Sequence, residues 1–242
     1  MSVAPLLALN PATRVQVQAL GGQASCLVFD DVLANPHEWV EFAVREKAAF
    51  VSQPGNAYPG NELALDEHSL DPLRSLLDPQ CRQLMGVRRI LRQHGRLAVA
   101  CRAPVELSPL QTLCHVDRMN TIPGERPLAS VLYLFEDSGL GGTGFYRPRR
   151  PLGEVKELLR DAGSMAPGVF FSRYGLTRSY MTEGNDWFDK VAEVPARFNR
   201  LILYPGMWFH SGDIRDPQRL DADPAHGRLT LNCFFSCRLP AS

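Results

Sequence analysis

Residues 199–211 read NRLILYPGMWFHS, two short apolar runs separated by a Pro-Gly pair. Apolar runs of about four to eight residues between turn residues are typical of buried β-strands. The stretch therefore predicts a strand at 200–204, a turn at Pro205-Gly206 and a second strand at 207–211.

The same pattern recurs before and after this stretch. Beyond Gly95 the spacing of apolar residues changes from helical to that of strands. Eight strands preceded by helices predict a mainly β fold with flanking helices, a double-sheet jelly roll, because an alternating α/β fold would interleave the two. The predicted strands are 96–102, 111–117, 128–135, 144–147, 190–194, 200–204, 207–211 and 228–238.

Helical patterns dominate the region before Gly95. A short apolar run at 25–32 predicts one strand, and Asn35-Pro36 then opens a helix. Residues 54–63 are rich in Gly, Pro and Asn and predict a loop. The region 70–94 has helical spacing interrupted by a proline, which predicts two helices.

A chain of 242 residues could form two domains, but β sandwiches and barrels often reach this size as one. We expect one structural domain. Residues 1–95 would supply a strand and helices that buttress the barrel, and residues 96–242 would form the β core. An insert at about 151–189, with a predicted helix at 154–161, interrupts that core.

The charge balance argues against a polyanionic partner. Lys and Arg together number 26, as do Asp and Glu, so no global positive field would attract nucleic acid or anionic lipid. No run approaches the roughly 20 apolar residues of a membrane span. The N-terminus does not resemble a secretory signal. We therefore expect a cytoplasmic protein that binds neither nucleic acid nor membrane.

The cysteines predict no covalent framework. They are scattered without a C-x-x-C pair, which in a chain of this size favours buried thiols over disulfides or a zinc site. The six are Cys26, Cys81, Cys101, Cys114, Cys233 and Cys237.

Three residues of the β region predict a metal site. His115 and Asp117 end a predicted strand, and side chains two apart on a strand share a face. Among the remaining histidines, His94 ends a predicted helix and His226 lies in a polar loop, whereas His210 lies in a strand. Two imidazoles and one carboxylate form a facial triad that suits iron(II), because one face of the octahedron stays open.

The last predicted strand begins at Arg228. Polar and apolar side chains alternate from here, so Arg228, Thr230 and Asn232 should share the inward face. A guanidinium in the mouth of a barrel is costly to bury alone and is shaped to hold a carboxylate through two hydrogen bonds. At an exposed strand end, Arg228 would instead be a solvated charge.

The order His115-x-Asp117, His210, Arg228 resembles the iron(II)/2-oxoglutarate-dependent dioxygenase superfamily, particularly its prolyl-hydroxylase-like branch. The resemblance covers about residues 96–238 and joins five separated segments in the expected order.

Three of these segments lie between the metal-ligand motifs. Residues 128–134 (LASVLYL) are similar to the branch's tyrosine-bearing strand, and residues 141–146 (GGTGFY) to its Gly-Gly-x-x-Phe turn. Residues 199–206 resemble its strand before the second histidine.

The resemblance implies a double-stranded β-helix fold, cupin-like in architecture. It implies that 2-oxoglutarate and molecular oxygen are consumed while a substrate C–H bond is oxidised. A carboxylate ligand is typical of the hydroxylases, since halogenating relatives lack it. The implied iron(II) ligands are His115, Asp117 and His210, and the residues implied to bind 2-oxoglutarate are Arg228, Tyr133 and Thr230.

Two departures limit the resemblance. Arg228 follows His210 by 18 residues (228 minus 210), longer than is usual, so Arg219 remains a second candidate for the cosubstrate. The insert does not match the branch, and because loops around a rigid barrel usually determine substrate choice, the substrate stays open between a small molecule and a protein side chain.

Residues 173–186 are a candidate lid. Candidate pocket residues are Arg118, Met119, Asn120, Tyr174, Tyr180, Trp187 and Trp208.

Two other functions remain open. A cupin-like metalloenzyme could use the same ligands without 2-oxoglutarate. A non-catalytic barrel could bind a ligand while His115 and Asp117 form an ordinary hydrogen-bonded pair, because a single His-x-Asp is a weak motif.

Overall fold

The computed structural model describes residues 4–22, 24–53, 55–117 and 122–240. The strands are β1 Val15–Gly21, β2 Ala24–Phe29, β3 Val51–Ser52, β4 Gly60–Ala64, β5 Arg89–Ala100, β6 Glu125–Tyr133, β7 Thr143–Pro148, β8 Phe188–Val194, β9 Leu201–Pro205, β10 Phe209–Gly212 and β11 Arg228–Arg238. The α-helices are α1 Pro36–Arg45, α2 Asp71–Leu84, α3 Leu152–Ala162 and α4 Pro167–Tyr174. Short 3-10 helices lie at Lys47–Ala49, Glu67–Leu70, Pro104–Glu106, Pro109–Thr112, Ser138–Leu140 and Pro217–Arg219.

Two antiparallel sheets form the body of the fold. The larger has the order β1-β2-β9-β6-β11-β5-β4-β3, and the smaller β10-β7-β8. They face each other: the ring of Phe145 in β7 lies 5.2 Å from that of Tyr204 in β9. One apolar cluster joins residues of both sheets. The fold is thus the mainly β jelly roll with flanking helices that the sequence predicts.

Helices α1 and α2 cover the outer face of the larger sheet. Trp39 and Phe42 from α1 and Leu73 and Leu77 from α2 are buried in one cluster with strand residues of that sheet. Each fully buried side chain of this size contributes roughly 1.5–3 kcal/mol. This packing fixes the sheet whose other face lines the site. The predicted domain limits stay a prediction.

The segment predicted as an insert covers the smaller sheet. Val155 and Leu158 of α3 and Phe170 of α4 form a buried cluster with Tyr146 and Phe188, which belong to β7 and β8. None of the helices within the described residues is long and apolar enough to span a membrane.

The prediction of two helices at 70–94 is wrong. One helix, α2, continues through Pro79, and β5 already begins at Arg89. Proline removes one hydrogen bond from a helix interior, but tertiary burial of an apolar face can outweigh that loss. Leu73, Leu77 and Cys81 supply this face here. His94 therefore lies in a strand, not at the end of a helix.

Two shorter predictions also need correction. Residues 60–63 of the predicted loop belong to β4, because they pair with β5 in the sheet. Gly60 suits this close approach, since a Cβ there would lie 1.9 Å from the Val99 carbonyl oxygen. Residues 111–117 form no regular strand: a 3-10 helix begins at Pro109, and a single bridge joins His115 to His210.

The cysteine prediction is confirmed. All six cysteines are free thiols, five of them buried and Cys101 partly buried. The thiols therefore contribute packing and no cross-link.

Candidate metal centre and its cavity

Backbone hydrogen bonds hold the candidate metal ligands together. His115 and His210 exchange two N–H···O bonds of 2.9 Å, and the Asp117 N–H donates to the Gly206 carbonyl at 2.8 Å. β10, which carries His210, pairs with β7 in the smaller sheet. The segment of His115 and Asp117 is therefore fastened to the turn and strand that the sequence stretch 199–211 forms.

The three side chains converge at one point. One ligand atom from each of His115, Asp117 and His210 lies within 4.8 Å of the other two. His210 Nε2 is 3.7 Å from Asp117 Oδ1, and the two imidazole centroids are 4.5 Å apart. Ligands of one ion with bonds of about 2.1 Å lie at most about 4.2 Å apart, so only a small side-chain adjustment is needed.

The protonation states suit a cation. His210 Nδ1 lies 2.8 Å from the Trp208 carbonyl oxygen, which can only accept, so the ring hydrogen is on Nδ1 and Nε2 is free to coordinate. Burial, and next the neighbouring His210, hold the pKa of His115 well below its usual range, which keeps the imidazole neutral. The His115 ring thus offers a lone pair, and His210 directs Nε2 toward Asp117.

The carboxylate of Asp117 lacks a hydrogen-bond donor for one of its oxygens among the described residues. The residue is 9% exposed, and Oδ2 is buried without a hydrogen-bond partner among the described residues. Burial raises its pKa, against the opposing effect of His210. A buried carboxylate without a compensating donor is unstable unless a cation joins it. The donor set and this orphaned oxygen fit a bound metal ion.

A cavity of about 610 Å³ opens beside these residues, between the two sheets. Its volume lies in the usual range for small-molecule sites. The larger sheet contributes alternate residues of β11 and β5. The smaller sheet contributes Thr143 of β7 and residues 210–212 of β10. The β11 residues in the wall are Arg228, Thr230, Asn232 and Phe234, and those of β5 are His94, Arg96 and Ala100.

Arg228 supplies a buried positive charge to this cavity. The residue is 4% exposed, and its Nε and Nη2 donate to the carbonyls of Gly141 and Gly142 at 3.0 and 2.7 Å. No carboxylate in the described part of the chain forms an ion pair with it. Gly141 must be glycine, because its φ is 88° and a Cβ would lie 2.0 Å from the Asp213 carbonyl oxygen. The cavity therefore favours an anion beside Arg228.

The other predicted cosubstrate residues differ in position. Thr230 lies in the cavity wall. Tyr133 is fully buried, its hydroxyl shares a 2.7 Å hydrogen bond with Thr143, and its ring lies 5.9 Å from the Arg228 guanidinium carbon. Arg219 forms an ion pair with Asp137, and its side chain is about half exposed. Of the two arginines proposed for the cosubstrate, the cavity contains Arg228.

Of the remaining pocket candidates that the structure describes, one lines the cavity and three pack in apolar clusters. Tyr180 lines the cavity, whereas Tyr174 and Trp187 pack in the cluster of α3 and α4. Trp208 packs against the cluster between the sheets. Arg118, Met119 and Asn120 lie outside the described residues. The lid prediction for 173–186 stays untested.

The sequence analysis did not assign the cavity residues Arg96 and Tyr58 to the site. Arg96 lies in β5 opposite Asn232 and forms a 2.9 Å ion pair with Glu62. Tyr58 comes from the segment predicted as a loop. Arg96 begins the strand predicted at 96–102, so strand alternation with Ala98 and Ala100 could have identified it, but no local signal marks Tyr58.

Fold and site define a class of protein: a jelly roll with a candidate two-histidine, one-carboxylate metal centre in a cavity between its sheets. The chain belongs to the family described as "Family of unknown function (DUF6445)", whose model matches residues 11–235. No curated protein sequence matches the chain significantly.

Solved structures with similar folds include three described as follows. The non-heme alpha ketoglutarate dependent carbocyclase SnoK from nogalamycin biosynthesis has 14% identity, a TM-score of 0.48, and coverage of 89% of this chain and 83% of that chain. HygX from Streptomyces hygroscopicus with nickel, 2-oxoglutarate and hygromycin B bound has 13% identity and a TM-score of 0.46, with coverage of 88% of this chain and 82% of that chain. A prolyl hydroxylase from Trichoplax adhaerens with a hypoxia inducible factor peptide has 10% identity and a TM-score of 0.46, with coverage of 88% of this chain and 83% of that chain.

Proposed function

We propose that this protein is an iron(II)- and 2-oxoglutarate-dependent oxygenase that hydroxylates a small molecule or a protein side chain. One observation carries the proposal: a single cavity contains both a compact His115, Asp117, His210 cluster and a buried Arg228 without an acidic partner in the described part of the chain. The cluster favours a cation and the arginine an anion. A metal-chelating dicarboxylate satisfies both.

Each residue has a defined task in this function. His115, Asp117 and His210 would hold iron(II) on one face, leaving the opposite face for ligands. Bound there, iron(II) supplies the oxygen activation that couples oxidative decarboxylation of 2-oxoglutarate to C–H oxidation, giving succinate, carbon dioxide and a hydroxylated product. Arg228, assisted by Thr230, binds and orients the distal carboxylate. The two sheets exclude bulk water from the reacting groups.

The decisive experiment measures binding before turnover, because the substrate is unidentified. Calorimetric titration of the Ni(II)-loaded protein with N-oxalylglycine should show one site. Arg228→Gln should weaken it at least roughly tenfold, the loss of a charge-assisted pair. Arg219→Gln is the matched control, since it removes a surface arginine and should leave the affinity unchanged. Succinate formation with iron(II) in air should then be absent in His115→Ala.

Other outcomes identify the competing functions. Stoichiometric metal with no binding of 2-oxoglutarate or its analogue would point to a metalloenzyme that does not use this cosubstrate. Failure of the wild-type protein to retain iron or nickel would contradict the proposal and favour a non-catalytic barrel.

A further inference from the structure

The segment that carries Tyr58 is held rigidly against the cavity. Gln111 Nε2 donates to the carbonyls of Asn56 and Tyr58 at 3.3 and 3.0 Å. Asn56 accepts from the Tyr58 N–H at 3.0 Å and donates to Glu62 at 2.9 Å. These bonds satisfy the backbone that leads into β4, so the position of the Tyr58 ring is determined by both its own segment and the one before His115.

The Tyr58 hydroxyl has no hydrogen-bond partner among the described residues, in contrast to that of the neighbouring Tyr180. The ring packs against a buried cluster that includes Tyr180 and Ile214. Tyr180 Oη donates to the Arg102 carbonyl at 2.7 Å, whereas Tyr58 Oη is buried without a hydrogen bond to any described residue. Burying a hydroxyl without an acceptor costs free energy, and native proteins rarely retain such a group without a use.

The strand register brings Tyr58 to the Arg228 end of the cavity. Ala100 of β5 pairs with Gly60 on one side and with Arg228 on the other, and Tyr58 lies two residues before Gly60. Burial raises the pKa of Tyr58 to about 12, against the opposing effects of the Arg228 charge and of the nearby Thr230 hydroxyl. The phenol therefore keeps its proton at neutral pH and can donate it.

Within the part of the chain that the structure describes, Tyr58 and Arg228 both lack a partner that a single anion could supply. Among the described residues, the Tyr58 hydroxyl is a buried donor without an acceptor, and Arg228 is a buried cation without an anion. A single carboxylate beside both would satisfy them together.

We propose that Tyr58 Oη donates a hydrogen bond to the carboxylate held by Arg228, so that Tyr58 is a cosubstrate-binding residue. The inference rests on the proposed function, in which that carboxylate is the distal one of 2-oxoglutarate. It assigns to Tyr58 the role that the family resemblance implies for Tyr133. The Tyr133 hydroxyl already shares a hydrogen bond with Thr143.

The test compares three tyrosine-to-phenylalanine variants of the Ni(II)-loaded protein by titration with N-oxalylglycine. Tyr58→Phe should lower the affinity roughly tenfold or more, as expected for a lost hydrogen bond to a charged group. Tyr133→Phe should change it by less than about threefold, within the range of an indirect effect. Tyr174→Phe is the control, because its hydroxyl bonds to Asp161 outside the cavity.

Two further measurements separate a binding role from a structural one. The ring of Tyr58 remains in Tyr58→Phe, so Ni(II) affinity and the melting temperature of the metal-loaded protein should stay at wild-type values. With iron(II), the variant should raise the KM for 2-oxoglutarate with little change in kcat, which a misfolded site would not do.

The outcomes are distinct. If the wild-type protein binds no N-oxalylglycine, the proposed function fails and the inference falls with it. If the wild-type protein binds and Tyr58→Phe binds equally well, the inference alone is overturned. If Tyr133→Phe is the weakened variant, the role belongs to Tyr133.

Discussion

Asp117 and Arg228 are buried groups of opposite charge: the carboxylate needs a cation beside it and the guanidinium an anion. The carboxylate of Asp117 lies beside the imidazole of His210 and has one oxygen without a donor among the described residues. The guanidinium of Arg228 donates only to neutral carbonyl groups in the hydrogen bonds that the structure describes. Buried charges are tolerated when they are paired or coordinate a metal. A ligand with a metal-chelating end and a carboxylate end would complete both residues.

The ion pair between Arg200 and Asp30 predicts that the free energy of unfolding depends on pH. Arg200 donates to both carboxylate oxygens of Asp30 at 2.6 and 3.1 Å, and this hydrogen bonding lowers the pKa of Asp30. A lowered folded-state pKa stabilises the protein above the unfolded value of about 4 and is lost as the pH falls through the folded value. Asp30→Asn should therefore lower the free energy of unfolding at pH 7 by about 1 kcal/mol, the pair being partly solvent-screened.

Urea titrations of both proteins at several pH values would measure this difference, which should shrink below about pH 4. Asp31→Asn is the control. Its side chain is 57% exposed and its φ of 53° is tolerated by asparagine, so little change is expected. A difference between Asp30→Asn and wild type that is constant with pH would contradict the assignment.

At the level of elements, strand β11 contributes the most to the cavity. It pairs with β5 and β6 along its length, and its alternate residues from Arg228 to Phe234 line the cavity. The opposite face of the same strand packs into the core under the helices. Because alternation assigns each residue to one face, a single strand serves both recognition and stability.

Helix α2 predicts a stabilising substitution. Pro79 lies inside the helix and is exposed, so it weakens the backbone without packing in the core. Pro79→Ala should restore a backbone hydrogen bond and raise the free energy of unfolding by about 1–3 kcal/mol. Thermal denaturation would measure it. Pro72→Ala is the matched control, since proline in the first helical turn lacks no bond and its replacement should have little effect.

An unchanged or lower melting temperature in Pro79→Ala would show that the proline stabilises the protein, for example by restricting the unfolded chain.

On the scale of the whole molecule, the candidate site exists only where the two sheets meet. His210 comes from the smaller sheet, whereas Arg228 and Thr230 come from the larger. Between them, the ring of Tyr204 lies 4.7 Å from that of His210 and 5.2 Å from that of Phe145. Ligand binding across this contact should therefore stabilise the molecule as a unit.

Metal binding should accordingly raise the melting temperature. At a free concentration of about 100 times Kd, Ni(II) should add about 2.7 kcal/mol, or roughly 5–10 °C for a chain of this size. Differential scanning fluorimetry with and without a chelator would record the shift. His210→Ala should lose it, whereas His226→Ala, which changes a histidine of the exposed loop before β11, should retain it. An equal shift in His210→Ala would locate the metal elsewhere.

Predictions from the sequence succeeded where a pattern is local. The runs at 128–135, 200–204 and 228–238 correspond to β6, β9 and β11, since their alternation and bounding turns reflect burial directly. They failed at 70–94 and 111–117. There, contacts with distant residues determined the structure: the buried face of α2 extends the helix through Pro79, and His210 supplies the bridge to His115.

The sequence by itself determined the class of fold, because strand alternation depends only on neighbours along the chain. It named the candidate ligands His115, Asp117 and His210 from the order of the motifs, although 111–117 forms no regular strand. Only the tertiary structure decided which groups share one cavity. Arg228 rather than Arg219 lies there, and Tyr58 joins it from a segment 170 residues away (228 minus 58). Which residues share the cavity depends on the register between β4, β5 and β11, and packing across the whole sheet sets that register.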